Sequence, residues 1–98
     1  RKRNGCVSRF RMKILFHKNF VKAYEKLGKG EKRKFKGRRH LFLQNPFHPL
    51  LNNHALQGKY QGYRSINVGG DLRAIYKELK KDLFLLADID THSNLYGK

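Results

Sequence analysis

Between Tyr63 and Ile89 the chain is punctuated so closely that few folds accept it. Tyr63 to Val68 alternates, and Gly69-Gly70 follows, a pair able to supply the positive φ of a two-residue hairpin turn. Asp71 to Leu79 then returns, and Lys80-Lys81-Asp82 makes a second turn into Leu83–Ile89. This last run, LFLLADI, is apolar at consecutive positions through Leu86. Both of its faces need cover, so it belongs inside a sheet with neighbours on each side. A three-stranded meander of this kind must bury one face against another layer.

The first half of the chain can supply that layer. Met12 to Phe16 (MKILF) reads as a short strand. Phe16, Phe20, Tyr24 and Leu27 recur at spacings of four, four and three, which predicts a helix over 17–27. Gly28 and Gly30 end it. Glu31 to Gln44 reads as a second helix, with Phe35 and Phe42 seven apart and Gly37 weakening its middle. Asn45-Pro46 stops that helix, since the residue before proline avoids the helical region. Residues 47–62, rich in Asn, Pro and Gly, read as loop. The expected architecture is α+β: an N-terminal strand and a two-helix hairpin packed on an antiparallel sheet that the C-terminal three-stranded meander completes. A chain of 98 residues has room for one modest core.

Charge divides the chain differently. Lys and Arg number 23 against 7 Asp and Glu, a formal net charge of +16. Residues 1–40 hold 16 of the cations and 2 of the acids; residues 41–98 hold 7 and 5. Such a concentration repels itself and points to a polyanionic partner, nucleic acid first. The opening RKRNGCVSRFR has five basic residues and no periodicity, so 1–11 reads as a flexible basic arm and 12–98 as the single domain. Cys6 is the sole cysteine, which excludes an internal disulfide framework and fits a reducing cytoplasm. The longest purely apolar run, Leu83 to Ala87, is far too short to span a membrane. No apolar stretch of secretory type follows the basic N-terminus.

Five histidines (His17, His40, His48, His54 and His92) are the obvious chemical candidates. There is no CxxC and no HExxH, so no metal site is expected and no cofactor. Asp88 and Asp90 form an isolated DxD, a pattern that more often marks a solvated strand edge than a metal clamp. A nucleophile elbow is lacking, and no helix follows the paired glycines to make a phosphate loop. Metal-free RNA cleavage makes other demands. The 2′-OH must lose a proton and attack the adjacent phosphorus, and the departing 5′-oxygen must gain one. Fixed positive charge must surround the phosphorane. Histidine suits both proton roles, with an ordinary pKa of ~6.5. His54, entering the sheet from a loop, and His92, just after the last strand, are available for them, with Asp71 beside the hairpin and Arg64 and Lys59 on a strand or its approach.

The ordered run HALQGKYQGYRSINVGGDLRAIY (His54–Tyr76), with NPFHPLLN before it and DIDTHSNLYG (Asp88–Gly97) after it, resembles toxins of the RelE/ParE superfamily. It is most similar to the YafQ-like mRNA interferase branch, over Met12 to Gly97. The resemblance implies a RelE-like fold and a ribosome-dependent endoribonuclease of a type II toxin–antitoxin system. Such a toxin cuts translated mRNA and is held inactive by a cognate antitoxin. Carried over by matching position, His92 is the principal general acid/base, His54 and Asp71 orient RNA or share proton transfer, and Tyr96 is available to stack on a base. Arg64, Arg73 and Lys59 become candidate RNA or transition-state contacts. The alternative for the two arginines is pairing with Asp71, Asp88 or Asp90 across the sheet.

The chain departs from some relatives at Asn67, where they carry histidine, and at Leu72, where they carry an aromatic. Asparagine exchanges no proton near neutrality, so Asn67 can only hydrogen-bond RNA. An attenuated toxin is one reading of these departures. A second is a ParE-like toxin that binds gyrase without nuclease chemistry. A third is a basic RNA-binding protein without catalysis, motivated by charge alone.

Overall fold

In the computed structural model of the protein the described residues run from 12 to 96. The basic segment 1–11, Gly97, Lys98 and the Tyr96 side chain lie outside them. Strand β1 (Lys13–Phe16) leads into helices α1 (Lys18–Glu25) and α2 (Lys29–Gln44). The short β2 (His54–Ala55) precedes the meander of β3 (Arg64–Gly69), β4 (Leu72–Lys80) and β5 (Leu83–Thr91). A last helix, α3, covers His92–Tyr96.

The helices begin where polar groups can satisfy their first N–H groups. His17 Nδ1 accepts from the Asn19 N–H at 3.0 Å to start α1. At the start of α2, the Gly28 N–H donates to the Glu31 carboxylate at 3.2 Å. The spaced aromatics then pack the two helices together on one face of the sheet. Phe20 meets Phe35 with ring centroids 5.3 Å apart, and Tyr24 meets Phe35 at 5.5 Å. Phe42 sits edge-on against Tyr76 and Phe84, at 4.9 and 5.2 Å. Phe20, Phe35 and Phe42 are all buried, in one core with Ile66, Val68, Ala74, Leu86 and Ile89 of the strands.

The five strands form one sheet in the order β1-β5-β4-β3-β2, so β5 is flanked on both sides as its apolar run requires. The sheet is antiparallel, as expected, except at one edge, where β1 pairs parallel with β5 through Leu15 opposite Leu85 and Phe16 opposite Leu86. Reversal at tight turns governs only the meander. From β1 the chain departs through two helices, and a crossover of that length can return a strand in the parallel sense. Residues 47–62 are also more structured than a loop: two short 3-10 turns, Pro49–Leu51 and Gly58–Tyr60, flank β2, which pairs antiparallel with β3. Among the described residues no helix is long and apolar enough to cross a membrane.

Candidate functional site: a corner of the open sheet face

Residues directly opposite one another on paired strands share a face of the sheet. The helix side takes Ile66, Val68, Ala74, Tyr76 and Ile89. Their alternates occupy the opposite face in two cross-strand rows. His54, Ser65, Ile75 and Asp88 stand in register across β2 to β5, and Asn67, Arg73 and Asp90 across β3 to β5. Ile75 and Leu95 are buried but fall outside the helix-side core, and α3 packs back against β5.

One end of this face draws four of the candidates together. The His92 N–H donates to the Asp71 carbonyl oxygen at 2.7 Å, which ties the start of α3 to the hairpin. Arg73, half-buried, donates from Nη1 to Asn67 Oδ1 (3.3 Å) and to the carbonyls of Gly70 (2.9 Å) and Leu72 (3.1 Å). Asp90 Oδ1 accepts from the Thr91 N–H at 2.8 Å and from Asn94 Nδ2 at 3.0 Å. The Thr91 hydroxyl accepts from the Asn94 N–H at 3.2 Å, a cap that starts α3 at His92. Asp71, His92, Asn67 and Arg73 therefore belong to one corner, and the helix that carries Tyr96 begins there.

The other candidates lie elsewhere. His54, exposed on β2 with Nδ1 2.8 Å from the Asn52 carbonyl, is three strands from β5, or ~14 Å at ordinary strand spacing. It borders the same face from the far side. Arg64 shares the helix side with Tyr76, its register partner. Its Nε donates to Asn53 Oδ1 at 2.6 Å, Asn53 Nδ2 donates to the Tyr76 hydroxyl at 2.7 Å, and the guanidinium lies 5.3 Å from the Phe47 ring centroid. This network is structural, with Asn53 in place of a carboxylate as the partner of Arg64. Lys59, in the second 3-10 turn, lies over the Tyr60 ring at 5.3 Å. Asn53 and Asp90 are the polar organisers missed as site residues. Asp90 was visible in the DxD, whereas nothing in the composition around Asn53 marks it.

Among the described residues, burial shifts the Tyr76 hydroxyl and the Asp88 carboxyl. It pushes the Tyr76 hydroxyl above its ordinary range, against the Asn53 hydrogen bond and Arg64, which pull it down. Burial also raises the Asp88 carboxyl, with neighbouring Asp90 adding to the rise, while the Ile89 N–H and His17 oppose it. Ser65 Oγ is buried with no hydrogen-bond partner, next to His54 in the first row. Among the described residues no three His, Cys, Asp or Glu side chains converge as metal ligands would.

The architecture is that of RelE-like toxins. Archaeal RelE, in the RelE–RelB complex from Pyrococcus horikoshii OT3, has this fold at 24% identity and a TM-score of 0.66, covering 83% of this chain and 94% of that one. Residues 12–97 match the family model of the bacterial toxin of type II toxin–antitoxin systems, YafQ, and the chain belongs to that family. It is similar to YafQ from E. coli strain BL21(DE3), with 28% identity, a TM-score of 0.73, and coverage of 88% of this chain and 99% of that one. It is also similar to the toxin in the E. coli DinJ–YafQ toxin–antitoxin complex, with 27% identity, a TM-score of 0.72, and coverage of 89% and 99%. No curated protein sequence matches the chain significantly.

Proposed function

We propose that this toxin is an endoribonuclease that cuts mRNA on the translating ribosome by metal-free acid/base catalysis, and that a cognate antitoxin restrains it. The observation that carries the reading is the corner itself. His92 is tied through its backbone to Asp71, and Arg73 stands one strand away. Arg73 commits Nη1 to three oxygens, and Nε and Nη2 have no partner among the described residues. A guanidinium held in this way can donate to the non-bridging oxygens of a phosphorane without rearranging first. His92 exchanges the protons of the 2′-OH and the departing 5′-oxygen, and the exposed Asp71 carboxylate orients the ribose. Asn67, engaged by Arg73, holds rather than transfers. His54 meets the RNA strand where it crosses the far edge of the sheet, and Tyr96 provides a stacking ring. The complexes solved for YafQ with DinJ and for RelE with RelB support an antitoxin partner.

Induced expression tests this, with the 5′ ends of cellular transcripts mapped. New ends confined to translated reading frames, lost in His92→Ala, are the expected outcome. Cuts spread equally over untranslated RNA contradict ribosome dependence. Growth arrest with intact mRNA and inhibited gyrase supercoiling transfers the protein to the gyrase-binding class.

A further inference from the structure

At the other end of the open face, a cleft of about 250 Å³ lies between the Gly58–Tyr60 turn and the start of α1. Tyr60, Tyr63, Lys59, His17, Asn19 and Asp88 line it. Tyr63 immediately precedes β3, and strand alternation puts it on the face of Ser65 and Asn67. Its ring lies under Lys77 Nζ, 5.3 Å from the centroid. Tyr60 stands edge-on to Tyr63, with centroids 6.5 Å apart and planes at 78°, and its ring carries Lys59 at 5.3 Å. Both rings are half-buried, both lysines are exposed, and neither tyrosine belongs to the helix-side core.

Two aromatic rings, each with an ammonium over it, make up the equipment that sequence-tolerant binding of single-stranded nucleic acid uses. The ring takes a base and the cation takes a phosphate. The volume exceeds the ~150 Å³ of an engineered cavity that binds benzene, so an aromatic ring fits. Asp88, the one carboxylate among the described lining residues, already accepts the Ile89 N–H at 2.8 Å. An acidic peptide could use the two lysines but would leave the ring faces unused.

We infer that this cleft is a nucleotide subsite for the RNA strand, in which one base stacks on Tyr63 or Tyr60 and Lys59 and Lys77 hold the neighbouring phosphates. Lys77 and Arg73 lie four residues apart on the same face of β4, ~13 Å of strand. The subsite therefore grips the strand a few nucleotides from the bond that the corner cuts. This rests on the endoribonuclease reading.

The test is fluorescence anisotropy with a 2′-O-methyl oligoribonucleotide, which lacks the nucleophile and stays intact, at low ionic strength. Tyr63→Ala is expected to weaken binding about tenfold, and Tyr63→Phe to restore it, since the ring and not the hydroxyl carries the stack. Lys59→Ala and Lys77→Ala are each expected to flatten the salt dependence by about one unit of slope. Equal affinities for wild type and Tyr63→Ala, with thermal unfolding unchanged, overturn the subsite. So does an absence of binding by wild type. Loss of hexaglutamate binding in Tyr63→Ala with RNA binding intact also overturns it, and assigns the cleft to a protein partner. If wild type cuts translated mRNA while the Tyr63 variants bind the oligonucleotide like wild type, only the subsite fails. If wild type cuts nothing, the catalytic reading fails whatever the binding shows.

Discussion

Asp88 is a carboxylate whose surroundings favour its protonated form, since burial and Asp90 together outweigh the Ile89 N–H and His17. Its folded pKa lies above the unfolded value of about 3.9, so its stability contribution is present below that pH and is lost as pH rises through the folded value. Asp88→Asn keeps an oxygen for the Ile89 N–H and removes the charge. The variant should melt above wild type at pH 7, with the difference shrinking as the pH falls. A variant less stable than wild type at pH 7 contradicts this. Single residues also show what the sequence could disclose. His92 and Asp71 could be singled out as candidates because an ordered motif surrounds each. Arg64 and Arg73 looked equivalent until strand parity separated them. Arg64 alternates with Ile66 and Val68 and faces the helices, whereas Arg73 pairs with Asn67 on the open face. The alternation that predicted the strand already held that answer.

At the scale of elements, the long patterned segments were readable and the short ones were not. Both helices and all three meander strands stand within a few residues of their expected bounds, because apolar spacing repeats often enough to be recognised. A two-residue strand such as β2 has no period to detect, and the parallel sense of β1 is set by the crossover and not by its own residues. Helix α3 left one overlooked signal, the Thr91 cap. The β3–β4 hairpin has the most direct bearing on the site, because it fixes Asp71 against His92. Gly70 sits at φ +53°, a conformation that a residue with a Cβ adopts only at a cost. Gly70→Ala should lower stability by about 1 kcal/mol in urea unfolding and slow cleavage by misplacing Asp71. An unchanged unfolding midpoint tells against that role.

Over the whole molecule, the proposed function assigns attachment and chemistry to different parts. Most of the cations of α2 are exposed, Arg39 alone among the exposed ones bordering both Phe35 and Phe42, while the corner is built from β3, β4 and the end of β5. On the proposed function, the formal charge of +16 would serve chiefly to hold the toxin on ribosomal RNA phosphates. Ribosome association should fall steeply with salt, and replacing Lys29, Lys36 and Arg39 by glutamine should flatten the log–log slope by about one unit per cation. A slope unchanged by these substitutions places the contact elsewhere. On the proposed function, a histidine-centred corner cleaves mRNA once the ribosome presents it. The most direct test is a single-turnover cleavage rate on a defined mRNA in a reconstituted translation system, for wild type and His92→Ala. Cutting should depend on the ribosome and slow at least ~100-fold in the variant, in line with loss of a general acid/base. Equal rates for the two proteins would contradict it.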